Sequence, residues 1–136
     1  MLNNLILSYS DALILLARLL LMTLFLITGW RKLTNFSATA GYMALTGSPV
    51  PKLATLIAIV MEFFVGLALI VGIWTRPLAL LFVVFTLATA LMGHRYWLLE
   101  GAAREENKIN FYKNFSIMGG LLLLAVTGPG KYALLG

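Results

Sequence analysis

The chain has no cysteine, one histidine, and five acidic residues against ten basic ones in 136 positions. Without cysteine there is no internal disulfide relay, no thiolate nucleophile and no cysteine-held iron–sulfur or zinc site. With His94 alone, this chain cannot supply bis-histidine haem ligation. Charge is also scarce: 11% of residues are Asp, Glu, Lys or Arg, where a soluble domain carries about 25%. No metal motif, P-loop, dinucleotide fingerprint or Ser-His-Asp arrangement can be read, so no metal is expected. Internal repeats and low-complexity tracts are missing too.

What the chain does have is hydrocarbon. Hydrophobic residues make up 61% of it, and the mean hydropathy is +0.95. A net charge of +5 could suggest nucleic acid, but the basic residues are scattered at the ends of apolar runs, not gathered into one face. Membrane orientation explains that pattern, and no nucleic-acid partner is expected. A bilayer is spanned by about 20 apolar residues, and helices are expected over about 11–30, 52–74, 77–97 and 111–127. The first follows the helix-start residues Ser8-Tyr9-Ser10-Asp11, and the last stops at Gly128-Pro129-Gly130. The fourth is the shortest and needs Lys113 to snorkel toward water; three crossings with a half-buried tail are its alternative. The fold class expected is an all-α, integral membrane four-helix bundle, a single domain over 1–136. The first apolar run reads as a retained helix and not a cleaved leader, because 1–10 has no Lys or Arg and Arg31-Lys32 follow the run.

Orientation follows from the basic residues. Arg31, Lys32, Lys52, Arg95, Arg104, Lys108 and Lys113 lie on the two longer connections, against Arg76 and Lys131 on the other side. The positive-inside rule then places the longer connections in the cytoplasm and both termini outside. Trp30, Trp74, Tyr96 and Trp97 fall near the expected helix ends, as an aromatic belt requires. A short interfacial helix is expected over 35–45, and a solvated loop over 99–110.

Two charges fall inside apolar spans: Arg18 in the first and Glu62 in the second. Intramembrane charges need a partner or a wet cavity, and mark functional or packing-specifying sites. Ala54, Ala58, Glu62 and Gly66 recur every four residues, a ridge of small side chains suited to helix contact. Arg18, Met22, Phe25 and Gly29 share a face of the first helix. An Arg18–Glu62 pair is therefore expected between neighbouring antiparallel helices. It reads either as a salt bridge fixing register or as a carboxylate poised for proton transfer beside a bound ligand. Thr86 and Thr89 lie mid-span on the third helix, where hydroxyls commonly bond back to their own helix. His94 and Trp97 end the third helix, while Lys113 and Asn114 open the fourth; together they are expected to line a ligand pocket at the cytoplasmic surface.

These residues together resemble the DoxX-like family of small bacterial membrane proteins. The matching pieces are Arg18, Gly29-Trp30-Arg31-Lys32-Leu33, Tyr42, Gly47-Ser48-Pro49, Glu62 with Gly66 and Gly72, Thr75-Arg76, His94-Arg95-Tyr96-Trp97, Lys113-Asn114-Phe115 with Gly119-Gly120, and Thr127-Gly128-Pro129-Gly130. The tail Lys131–Gly136 departs from the family's pattern by lacking an aspartate, so no role of that carboxylate carries over. The resemblance implies an oxidoreductase or a redox-complex subunit, with a pocket between helices for a quinone or another small molecule, and with membrane lipids and other redox subunits as partners. Glu62 would handle protons and Arg18 would hold its charge. The alternative is a non-catalytic membrane scaffold or assembly factor whose buried charges only specify packing. A small-solute carrier is disfavoured, since no paired broken helices are evident.

Overall fold

The computed structural model describes all residues, Met1–Gly136, and is all-α. The helices are α1 (Leu2–Ser8), α2 (Ser10–Thr34), α3 (Phe36–Leu45), α4 (Pro51–Ile59), α5 (Gly66–Val71), α6 (Thr75–Gly93) and α7 (Gly101–Thr127). A π-helical segment, Val60–Val65, joins α4 to α5 without a break. Four stretches are long and apolar enough to cross a membrane: Ser10–Thr34, Pro51–Val71, Thr75–Leu98 and Gly101–Thr127. Their exposed residues are largely Leu, Ile, Val and Phe, for example Leu16, Leu20, Ile27, Leu56, Phe64, Val84, Leu123 and Val126. A surface of that kind is stable against lipid and not against water.

Two compact units make up the chain: Met1–Thr75 with Pro129–Gly136, and Arg76–Gly128. In the first, α2 lies against the π-helical segment and α5, while α3 lies against α4. The buried face of α2 is Arg18, Met22, Phe25 and Gly29, the face expected from spacing. Opposite it, Ala58, Glu62 and Gly66 are buried. Residues four apart drift by roughly 40° around an α-helix of 3.6 residues per turn. The wider winding across Val60–Val65 counters that drift and keeps the three in line. Gly66 faces the Leu26 and Met22 side chains, and a methyl group there would stand in ordinary contact, 3.4 Å from Leu26 Cδ2.

In the second unit α6 buries Ala79, Phe82, Thr86 and Ala90, and α7 buries Asn114, Leu121 and Leu124. In this unit two boundaries differ from the sequence expectation, and in the first unit the second span, expected to reach 74, ends at Val71. The third α-helix ends at Gly93, a poor helix residue, and a short 3₁₀ turn (Tyr96–Leu98) follows. The fourth begins at Gly101, ten residues earlier than expected, so the anticipated solvated loop over 99–110 is largely helix. Ala102, Ala103, Arg104, Glu105, Glu106 and Lys108 are strong helix formers without apolar periodicity, and Arg104 and Lys108 anchor that turn on the Tyr96 ring at 5.8 and 6.0 Å. The interfacial helix expected over 35–45 is α3. The short α1 and the last four residues of α2 were not anticipated.

Candidate ligand site

Glu62 sits on the π-helical segment, and its partner is Lys32. The ammonium lies 2.9 Å from Oε1 and 2.9 Å from Oε2, and the Thr28 hydroxyl donates to Oε1 at 2.6 Å. Thr28 and Lys32 are one turn apart on α2, which reaches Glu62 because Gly29 stands between them. A methyl group on Gly29 would lie 2.7 Å from the Phe63 backbone nitrogen and 3.0 Å from Glu62 Cβ. The carboxylate is buried and Lys32 is half-buried, so this is a charge-assisted site at the edge of the protein interior. A groove of about 430 Å³ opens beside it, lined by Thr28, Arg31, Lys32, Asn35, Ala38, Thr39 and Tyr42.

Arg18 does not pair with Glu62. It is fully buried and spends its donors on four carbonyl oxygens: Leu69 at 2.9 Å, Ile70, Pro129 at 2.9 Å and Tyr132 at 2.7 Å. The first two belong to the last turn of α5, whose carbonyls have no partner within the helix. Gly72 and Ile73 N–H groups cover Ala68, and the tail covers the rest: Leu134 N–H donates to Val71 and Leu135 N–H to Gly72. Trp74 N–H returns to Leu135. The tail fits because Gly72, at φ 82, has no side chain where Ala133 lies, and Asp11 accepts the Lys131 N–H at 2.9 Å. The expected pairing failed for a geometric reason. Gly29, not Arg18, meets Glu62, and eleven residues of α2 separate the two, roughly 16 Å at 1.5 Å per residue.

The remaining candidates lie in the second unit. Asn114 is buried and donates to the Thr86 carbonyl at 3.3 Å and the Thr89 hydroxyl at 3.1 Å, tying α7 to α6. Both threonines bond back to their own helix, Thr86 to Phe82 and Thr89 to Thr86. His94 Nδ1 is 3.2 Å from the Asn107 Oδ1, and Trp97 packs edge-on against Tyr96 and Phe111. Lys113 is exposed and donates to Asn110 at 3.1 Å. The structure thus brings Thr86, Thr89 and Asn114 together as a helix-to-helix link, and seats His94 and Trp97 at the α6–α7 connection. Lys32 and Thr28 were missed as site residues. Their signal was the Gly29-x-x-Lys32 spacing, which puts a cation one turn beyond a close-contact glycine.

Four apolar spans, a glycine-packed helix pair and a lysine–carboxylate site within it define a multi-span helical membrane protein. The family model for DoxX matches residues 13–95, and the chain belongs to the DoxX family. It is 48% identical over 122 residues to the inner membrane protein YphA of Escherichia coli (strain K12), covering 90% of this chain and 87% of that protein. It is 41% identical over 125 residues to the inner membrane protein YqjF of the same organism, covering 92% and 91%. No solved structure matches.

Proposed function

We propose that this protein is an inner-membrane subunit of a redox complex that binds the head group of a quinone-like ligand at Lys32 and Glu62. The observation that carries the reading is a carboxylate held by an ammonium and a hydroxyl, on a π-helical turn within an apolar span, at the rim of an open groove. π-Helical turns occur frequently at functional sites. Lys32 would donate to a ligand carbonyl, Glu62 would pass a proton, and Thr28 would hold the carboxylate in place. A cysteine-free chain holds no dithiol, so partner subunits would supply the electrons. The relatives' names as inner membrane proteins support the location. The Lys and Arg distribution supports cytoplasmic longer connections and termini on the outside. Arg18 serves packing in this reading. His94, Trp97 and Lys113 remain available to a ligand at the α6–α7 connection, whereas Asn114, Thr86 and Thr89 are committed to one another.

The scaffold reading is favoured by one observation: each buried charge already has intramolecular partners. Quinone titration of purified wild type, Glu62→Gln and Lys32→Met, followed by quenching of the native tryptophans, separates the two. Tenfold or greater weakening, measured where both variants are fully folded, is expected from the redox reading. Wild-type protein that takes up no quinone, or variants that bind it normally while melting earlier, would leave the scaffold.

A further inference from the structure

The groove beside the Lys32–Glu62 pair carries a cation that nothing within its unit neutralises. Arg31 is exposed and lines the groove, and no carboxylate is bonded to it. The first unit has two acidic side chains, Asp11 and Glu62. Asp11 accepts the Lys131 backbone N–H, and Glu62 is taken by Lys32 and Thr28. Lys32 and Glu62 cancel, so Arg31 leaves the site one positive charge in excess. On the same walls the Thr39 hydroxyl donates to the Asn35 carbonyl and the Asn35 amide to the Arg31 carbonyl and Thr34 hydroxyl, which leaves the Tyr42 hydroxyl as the donor beside Arg31. An ammonium has three N–H donors; Lys32 donates to Glu62 Oε1 and lies 2.9 Å from Oε2, which leaves donor capacity toward the groove.

A planar guanidinium fork with nearby hydroxyl and ammonium donors matches the oxygens of a phosphate monoanion. The depth is also that of a phosphate. The groove spans the last two turns of α2 and the first two of α3, where the apolar run ends, with Trp30 and Tyr42 exposed as interfacial aromatics do. A phospholipid delivers its phosphate to this level already, with its chains lying along the exposed apolar surface of the span.

We propose that Arg31, with the Tyr42 hydroxyl and the remaining donor capacity of Lys32, binds the phosphate of an anionic phospholipid at the rim of the groove. This goes beyond the redox reading and does not depend on it. The bound phosphate stands next to the Lys32 ammonium, so lipid composition sets the electrostatic environment of the Lys32–Glu62 pair.

The test is lipid retention by the full chain, read by native mass spectrometry after extraction from nanodiscs of phosphatidylglycerol or phosphatidylcholine. Wild type is expected to retain phosphatidylglycerol over phosphatidylcholine, and Arg31→Gln to reduce that preference roughly fivefold. Arg31→Lys should keep part of it, and Tyr42→Phe should weaken it less than Arg31→Gln does. Lys52→Gln removes the same charge from a separate groove lined by Phe36, Ala40 and Gly41, and should change nothing. Equal retention of the two lipids by wild type overturns the proposal. So does a loss in Lys52→Gln as large as in Arg31→Gln, which would mean diffuse surface charge. Displacement of the lipid by millimolar inorganic phosphate would make free phosphate the ligand and overturn it as well.

Discussion

A guanidinium buried in hydrocarbon needs acceptors for its N–H donors, and Arg18 finds four backbone carbonyls where α5 ends and the tail returns. Those carbonyls need donors as much as Arg18 needs acceptors, because lipid offers neither. Glu62 meets the complementary need with Lys32 and Thr28. The two charges are therefore energetically separate sites. Arg18→Leu should destabilise the protein by on the order of 3 kcal/mol or more, since it strands several buried acceptors at once. Combined with Glu62→Gln its effect should add within about 0.5 kcal/mol, as distant sites do. Lys32→Met with Glu62→Gln should instead couple by roughly 1 kcal/mol or more. Unfolding in mixed detergent measures both cycles, and strong coupling of Arg18 to Glu62 would refute this assignment.

At the scale of elements, the first and second spans approach backbone to backbone at one point, flanked by the buried Met22, Phe25 and Leu69. Gly29 faces the Glu62–Phe63 backbone, and Gly66 faces Met22 and Leu26. Gly29→Ala would force a methyl group against main chain, which cannot swing aside, and should cost about 1–3 kcal/mol and loosen the Lys32–Glu62 pair. Gly41→Ala on α3, where nothing lies within 4 Å, is the control and should be near neutral. The same unfolding measurement reads both. Much of this element level was legible beforehand: Ala58, Glu62 and Gly66 of the ridge and the Arg18–Gly29 face are buried, with Ala54 only partly so. The π-helical turn was not legible, because its composition, Val-Met-Glu-Phe-Phe-Val, is what an α-helical span would carry. Nor was the start of α7, where helix propensity acts without a hydrophobic period.

For the molecule as a whole, the lack of cysteine makes single-cysteine labelling clean. The charge distribution predicts that Lys52→Cys and Arg104→Cys label from the cytoplasmic side and Lys131→Cys from the opposite side, using a membrane-impermeant maleimide on intact and opened spheroplasts. Labelling of Lys131→Cys and Arg104→Cys from one side would contradict four crossings. At 27 residues α7 is roughly 40 Å long at 1.5 Å per residue, beyond a hydrocarbon core of about 30 Å. Its polar first turns around Arg104–Lys108 should label, and Leu122→Cys should not.

Composition, apolar run length and spacing gave membrane class, four helices long enough to cross and the buried face of the first span, because burial in lipid or protein is a property of local pattern. Which charge meets which was a matter for the tertiary structure. Arg18 and Glu62 had the right types and neighbouring helices, yet partner choice depends on axial register to within a turn. That register is set by where Gly29 lets two backbones touch and by a tail more than a hundred residues away returning to cap α5, neither of which a local pattern encodes.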